Sequence, residues 1–315
     1  MNTELILAFD ESVLGGWSME IKKVAILGSG RLGRGIAENA ATKGYEVTLF
    51  TQGAGSQNAP HRIEQSLNRK VAKWALTETQ KRVILNRISY TADLKELANA
   101  DLVIEATVDH LYTKQELLRT ADRLCKPNVI FILTSAMLPV YEIARSLSRS
   151  QLLVGARFIP PVVDVDVVEF SYSQDTDPEA VETVKKFIAS LGKTAVHVHE
   201  SPGLVNPRAL VTLINEAAYL LDEGVASADA VEAIIKHSWG MSQGPFEMAD
   251  RMGIDIILDW MEQLQERYGD HYKPAPVIRR LVRQGKLGVK TQQGFFHYNE
   301  AGQRIDISGL GQEEK

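Results

Sequence analysis

Apolar and polar positions follow two different rhythms along this chain. Between Lys22 and Glu200, short apolar runs of strand length alternate with stretches in which apolar residues return at helical spacing. The runs predict strands at 23–27, 46–50, 88–91, 102–105, 129–133, 153–157, 165–170 and 195–198. Helices over 36–43, 62–74, 79–86, 113–123 and 178–191 fill most of the spaces. Strands alternating with helices of this length build βαβ units and a mostly parallel sheet. The last two strands flank a single helix, which leaves them free to run differently from the rest.

After Ser201-Pro202-Gly203 the rhythm becomes purely helical. Leu210, Leu213, Ile214, Ala217 and Leu221 share one helix face, with Asn215 and Glu216 on another. Ser227 is a good N-cap for a helix over 228–237, and Gly240 follows it. Further helices are predicted over 246–268 and 276–284, and strand character returns only around His297-Tyr298. The expected fold class is therefore α/β, a Rossmann-like doubly wound and mostly parallel sheet followed by an all-α domain. Residues 1–18 form an extension of unassigned role, 19–203 the sheet domain and 204–315 the helical domain. So much apolar periodicity in about a hundred residues predicts burial against a second copy, a homodimer.

The first strand runs straight into Gly28-Ser29-Gly30-Arg31-Leu32-Gly33, and a helix follows at once. A glycine turn between strand and helix lets backbone N–H groups approach a pyrophosphate at the helix N-terminus. This placement favours a dinucleotide site, with Gly28, Gly30, Arg31, Leu32 and Gly33 as candidate contacts, over an ordinary tight turn. The second strand ends Leu49-Phe50-Thr51-Gln52, without the acid that usually binds the ribose 2′-hydroxyl of NAD. Thr51 is suited to a 2′-phosphate, and Arg31 either reaches a phosphate or is an exposed helix start. Both NAD and NADP stay open, and the missing carboxylate favours NADP.

Composition narrows the setting. The chain has 315 residues, 44% apolar and 24% charged, the balance of a globular protein. Its net charge of −5 gives no basic surface for nucleic acid or anionic membrane. A single cysteine, Cys125, excludes an intrachain disulfide framework, fits a reducing cytoplasm and reads as a structural thiol. No apolar run approaches the ~20 residues of a membrane span, and no basic signal-peptide start is present. His197 and His199 alternate along one predicted strand, but with no third ligand in view no metal site is expected.

Several motifs occur in order: Ser201-Pro202-Gly203, Ile214-Asn215-Glu216-Ala217, Gly244-Pro245-Phe246-Glu247-Met248-Ala249-Asp250, and Gly288-Val289-Lys290-Thr291-Gln292-Gln293-Gly294-Phe295-Phe296. With Asp101-Leu102-Val103-Ile104-Glu105-Ala106 and Lys126-Pro127, this series resembles the 3-hydroxyacyl-CoA dehydrogenase family. The resemblance implies a Rossmann domain with a helical dimerisation domain, hydride transfer between nicotinamide and a hydroxyl-bearing carbon, and an acyl thioester substrate. It also implies a His that moves the proton, a Glu that orients it, and Ser and Asn residues that hold the substrate oxygen.

Residue by residue, the carry-over departs from that pattern. The segment Ala156-Arg157-Phe158-Ile159-Pro160-Pro161 falls on the family's His segment, so the His position is Arg157. Glu169 keeps the orienting Glu. The Ser position is Ala136, with Ser135 beside it, and the Asn position is Pro207, with Asn206 one place early. The candidate catalytic residues are accordingly Arg157, Glu169 and Asn206. Asp109 and Lys114 fall on cofactor-binding positions of the family, although a solvated helix start also explains them. His110 is a candidate substitute acid–base group, weighed against a capping role.

Arginine stays protonated throughout the working range and cannot act as a general base. Loss of a general base typically costs about 10²–10⁴ in rate. Three readings follow: a reductase or dehydrogenase in which Arg157 is a fixed cation beside the reacting oxygen, an enzyme whose Arg157 binds a carboxylate or phosphate of a different substrate such as an imine, and a nucleotide- or acyl-binding protein without turnover. A buried Arg157–Glu169 pair that serves only the fold is the structural alternative.

Overall fold

Eight strands appear where the apolar runs predict them. The computed structural model describes residues 20–52 and 58–305, so the extension 1–18 lies outside the described residues. The strands are β1 (Lys23–Leu27), β2 (Glu46–Phe50), β3 (Ile88–Thr91), β4 (Leu102–Glu105), β5 (Ile130–Leu133), β6 (Leu153–Phe158), β7 (Val167–Ser171) and β8 (Thr194–His197). They form one sheet in the order β3-β2-β1-β4-β5-β6-β7-β8. The first six are parallel, β7 is antiparallel to β6, and β8 is parallel to β7. The last two strands thus run against the rest.

The helices of this unit are α1 (Arg31–Thr42), α2 (Ala59–Ala72), α3 (Glu78–Asn86), α4 (Leu111–Leu124), α5 (Val140–Ala144) and α6 (Pro178–Ser190). Val24 and Ile26, Leu102 and Ile104, and Ile130 and Ile132 share one core with Ile36, Ile63, Leu67, Phe187 and Ile188 of the helices. The intervening strand residues Ala25, Leu27, Val103 and Phe131 are buried as well. Both faces of the sheet are covered, which is why its central strands read as continuous apolar runs.

Helix boundaries differ from the sequence expectation in four places. Helix α1 starts at Arg31, not at 36, because Gly30 is its N-cap and the glycine-rich segment is already its first turn. Pro60 opens α2 earlier than expected, since proline suits the first helical turn. Trp74, placed inside that helix by its spacing, lies beyond it with φ of 58°. The single helix expected over 246–268 is two helices, α9 (Pro245–Met252) and α10 (Ile254–Tyr268), broken at Gly253, whose φ of 110° no other residue type adopts readily.

The described residues divide into two compact units, one built from those up to 134 and from 140–197, the other from 135–139 and those from 198 to 305. In the second unit α7 (Asn206–Asp222) and α8 (Ala228–Ser238) precede α9 and α10, and α11 (Pro276–Arg283) follows. A two-stranded ribbon of β9 (His297–Tyr298) and β10 (Arg304–Ile305) comes last. Its core gathers Val211, Ile214, Phe246, Ile257, Met261, Leu264 and Ile278. Asn215 takes a structural part: its amide donates to the Lys273 carbonyl at 2.9 Å and its oxygen accepts from Ala275 N–H at 2.9 Å. Among the described residues no helix is long and apolar enough to cross a membrane.

Asp250 ties the C-terminal ribbon to α9. Its carboxylate accepts from the backbone N–H of Phe295 and Phe296 and from the Tyr298 hydroxyl, each at 2.9 Å. Burial pushes this carboxyl up to about 6, against the pull of those donors. The folded value lies above the unfolded one, so the folded chain holds the proton more tightly. The group therefore contributes most below the unfolded value near 3.8, and that contribution is lost as pH rises through about 6. Asp250→Ala strands three donors and should cost about 2–3 kcal/mol in denaturant unfolding. The stability gap between parent and variant should shrink as the pH is raised from 4 to 6 and stay constant above.

Candidate active site

The order β3-β2-β1-β4 places a topological switch point between β1 and β4, and open α/β sheets bind ligands there, outside the carboxyl ends of the strands. The glycine turn leaves β1 at that point. A Cβ built on Gly33 would fall 1.9 Å from the Gly28 carbonyl oxygen, and one on Gly28 would fall 2.8 Å from that of Ala106. Turn, helix and the exit of β4 therefore touch through backbone alone. A Cβ on Gly30, by contrast, meets nothing within 4 Å.

Gly30 caps α1 without a side-chain hydrogen bond, and the first turn of α1 carries no acid. With open space where a Gly30 Cβ would stand and no acid in the first turn, this helix start can accept a pyrophosphate. Leu32 is half-buried beside the core of the unit. Arg31, the first residue of α1, is exposed. Arg34 donates to the Ser29 carbonyl at 2.8 Å. Burial lowers its guanidinium, and the charges of Arg62 and Arg31 lower it further, so three cations gather near the turn. At the end of β2, the Thr51 hydroxyl donates to the Thr91 carbonyl at 3.2 Å, and no carboxylate occupies that strand end.

Beyond β4 lies a buried charge cluster that the sequence motif did not resolve into roles. Glu105 and Lys114 are both fully buried and form an ion pair. Glu105 also accepts from Thr107, at 2.8 Å from its N–H and again from its hydroxyl. Lys114 reaches the Thr107 carbonyl at 3.3 Å and lies 3.5 Å from Asp109. A solvated helix start therefore does not describe Lys114: its ammonium is enclosed and fixes the loop 106–110. In the sequence Glu105 closes an apolar run and belongs to a segment of the family resemblance, but nothing there names its partner. His110 is the N-cap of α4, where its ring accepts from Thr113 N–H. Capping, not acid–base chemistry, is its visible role.

Arg157 and Glu169 sit directly opposite each other in the antiparallel β6–β7 register. The guanidinium donates to the Glu169 carboxylate at 2.8 Å, and each side chain is only 5% exposed. Burial lowers the Arg157 guanidinium, while Glu169 and then Asp109 raise it. The loop after β6 is fixed too. Lys193 donates to the Val162 carbonyl and to that of Val165, at 2.7 Å for the latter. Val162 lies against Gly35 of α1, 3.0 Å from where a Cβ would stand. Arg157, Glu169, Asp109 and the glycine turn thus belong to one end of one sheet.

Ser135, Ala136, Asn206 and Pro207 lie in the second unit, His197 and Cys125 in the first. Ala136 accepts from Gly203 N–H at 3.0 Å, and the Ser135 hydroxyl accepts from Leu138 N–H at 2.8 Å. Asn206 opens α7, with Pro207 next to it. His197 packs against Tyr172, ring centroids 4.9 Å apart. Burial pushes the Cys125 thiol up to about 11, the state of an inert structural cysteine.

Residues 23–201 match the profile described as 3-hydroxyacyl-CoA dehydrogenase, NAD binding domain, and residues 203–298 match its C-terminal domain. The chain belongs to the 3-hydroxyacyl-CoA dehydrogenase family. A probable 3-hydroxybutyryl-CoA dehydrogenase of Bacillus subtilis is 37% identical over 284 residues, covering 90% of this chain and 99% of that relative. A 3-hydroxybutyryl-CoA dehydrogenase of Bradyrhizobium diazoefficiens is 35% identical over 89% of this chain and 97% of its own length. Among solved structures, (S)-3-hydroxybutyryl-CoA dehydrogenase from Ralstonia eutropha superposes with a TM-score of 0.80 at 32% identity, covering 89% of this chain and all of that one. FadB2 of M. tuberculosis superposes with a TM-score of 0.85 at 29% identity, covering 89% of this chain and 99% of that one. Family membership makes this chain an oxidoreductase with a Rossmann dinucleotide-binding domain.

Because Glu105 is fully enclosed, Lys114→Met leaves a buried carboxylate without its cation. The expected loss is about 3–5 kcal/mol in chemical denaturation. The double variant Glu105→Gln with Lys114→Met should recover more than half of it.

Proposed function

We propose that this protein is a nicotinamide-dependent reductase of a 3-ketoacyl thioester or a related carbonyl compound, in which Arg157 takes the place of a proton-transferring histidine. The observation that carries this reading is the buried Arg157–Glu169 pair at the carboxyl end of the sheet. The cofactor, when bound, supplies or accepts the hydride. First-turn N–H groups of α1, with Gly28, Gly30, Arg31, Leu32 and Gly33, hold its pyrophosphate, and Asp109 faces its nicotinamide half.

Arg157 cannot remove a proton, but it can stabilise negative charge. A preorganised cation beside a carbonyl oxygen favours the alkoxide-like charge that develops during reduction. Glu169 fixes the guanidinium plane and compensates its burial, and water delivers the proton. The opposite direction, oxidation of an alcohol, needs a base that Arg157 does not provide. The acyl thioester class follows from the names of the relatives, and a homodimer from the apolar periodicity of the helical half.

NADP is the proposed cofactor in preference to NAD. Thr51 stands where a carboxylate would repel a 2′-phosphate, and the charges of Arg62 and Arg31 both act on Arg34 near the turn. Thr51→Asp should lower NADPH affinity at least tenfold relative to NADH, as read by titration calorimetry.

The reaction itself is tested by supplying acetoacetyl-CoA with NADPH or NADH. Turnover is expected in the reducing direction. Arg157→His should raise the rate of 3-hydroxybutyryl-CoA oxidation by about 10²-fold or more. Tight dinucleotide binding with no turnover of any carbonyl tried would replace this reading with that of a nucleotide-binding protein.

A further inference from the structure

Trp74 is the most exposed large apolar side chain among the described residues, with 96% of its surface open to solvent. It also stands at φ 58°, a left-handed backbone that glycine adopts freely and a bulky residue only at a cost. Two penalties thus meet at one position, and at that exposure nothing in the described fold covers the indole. Positions that break local rules in this way collect where a protein meets something else.

Trp74 forms the tip of the hairpin made by α2 and α3. Lys73, Trp74 and Ala75 are all exposed there. Ile63 and Leu67 of α2 and Ile84 of α3 hold the hairpin on the core. Lys81 joins the two helices by donating to the Asn68 side chain at 2.8 Å, and a capping box of Thr77 and Gln80 starts α3. The tip is therefore a fixed projection.

Its charge is opposite to that of the chain. Residues 58–87 hold seven Lys and Arg against two Glu, although the whole chain carries −5. The average over the chain, which predicted no basic surface, hides this hairpin. Glu78 pairs with Lys81 at 3.0 Å, Lys70 is held by Glu38 at 2.7 Å, and Glu64 lies in the first half of α2, away from the tip. Arg69, Lys73 and Arg82 are exposed and form no ion pair among the described residues. Arg69 and Lys73 lie one turn apart, on the same side of the chain end that carries Trp74.

We infer that this tip docks on an anionic phospholipid surface, with the Trp74 indole among the headgroups and Arg69 and Lys73 against the lipid phosphates. An indole suits that boundary because its body is apolar and its N–H is a donor. Each cation held near the surface adds to the attraction of an anionic bilayer. A convex tip with one ring offers no groove for a nucleic-acid strand and no platform for a second base. The docking is peripheral, since no described helix is long and apolar enough to cross a membrane.

The test is co-sedimentation of the full chain with vesicles, one set of phosphatidylcholine alone and one with equal parts of phosphatidylglycerol. Binding is expected to the anionic set only, and it should fall as salt is raised. Trp74→Gly removes the indole and suits the left-handed backbone, so it should unfold on heating near the parent and bind about tenfold more weakly or worse. Arg69→Gln with Lys73→Gln should weaken binding about twentyfold, at about fivefold for each cation. Undiminished binding by either variant overturns the inference, as does equal binding to both vesicle sets or binding to neither. A chain that ignores both sets but holds a single-stranded oligonucleotide through Trp74 overturns it in favour of a nucleic-acid surface.

Discussion

The carboxyl end of the sheet depends on burying a guanidinium and setting a carboxylate against it. Arg157 and Glu169 meet because β7 turns back against β6, which sets the two residues opposite each other in register. In a parallel continuation Glu169 would lie at the far end of a crossover, well removed from Arg157. The reversal of one strand therefore makes the pair. Desolvation raises the cost of each charge by itself, so each residue requires the other, and the pair persists only as a unit.

The surrounding elements hold that end of the sheet in place. Lys193 binds two carbonyls of the loop after β6, and Val162 in that loop packs on α1. The Glu105–Lys114 pair does the same for the loop after β4. Two buried lysines thus fasten loops to the rest of the unit. Asp109 and the first turn of α1 keep some access at these carboxyl ends.

In the second unit a carboxylate again organises backbone. Glu232, from α8, accepts from Gly244 and Phe246 N–H at 3.0 and 2.9 Å and so caps α9 from another helix. Burial raises its carboxyl, as it does that of Asp250 at the other end of the same helix. Gly244-Pro245-Phe246 and Gly294-Phe295-Phe296 therefore read as motifs because backbone groups there need these two acids, with Phe246 and Phe295 stacked 4.3 Å apart. Their chemistry is that of assembly.

The sequence by itself determined the order of strands and helices along the chain and the glycine turn. Those features are local: apolar runs of strand length, helical periodicity, glycines between a strand and a helix. It did not place the start of α1 or the break at Gly253, where glycine serves a helix end on one occasion and a helix start on another. Tertiary structure alone decided that Lys114 is enclosed, that Glu105 is its partner, that His110 caps a helix, and that Asp109 and Arg157 share an electrostatic neighbourhood. A charged side chain in a string of letters carries no dielectric; its surroundings come from segments far along the chain, and only folding brings them together.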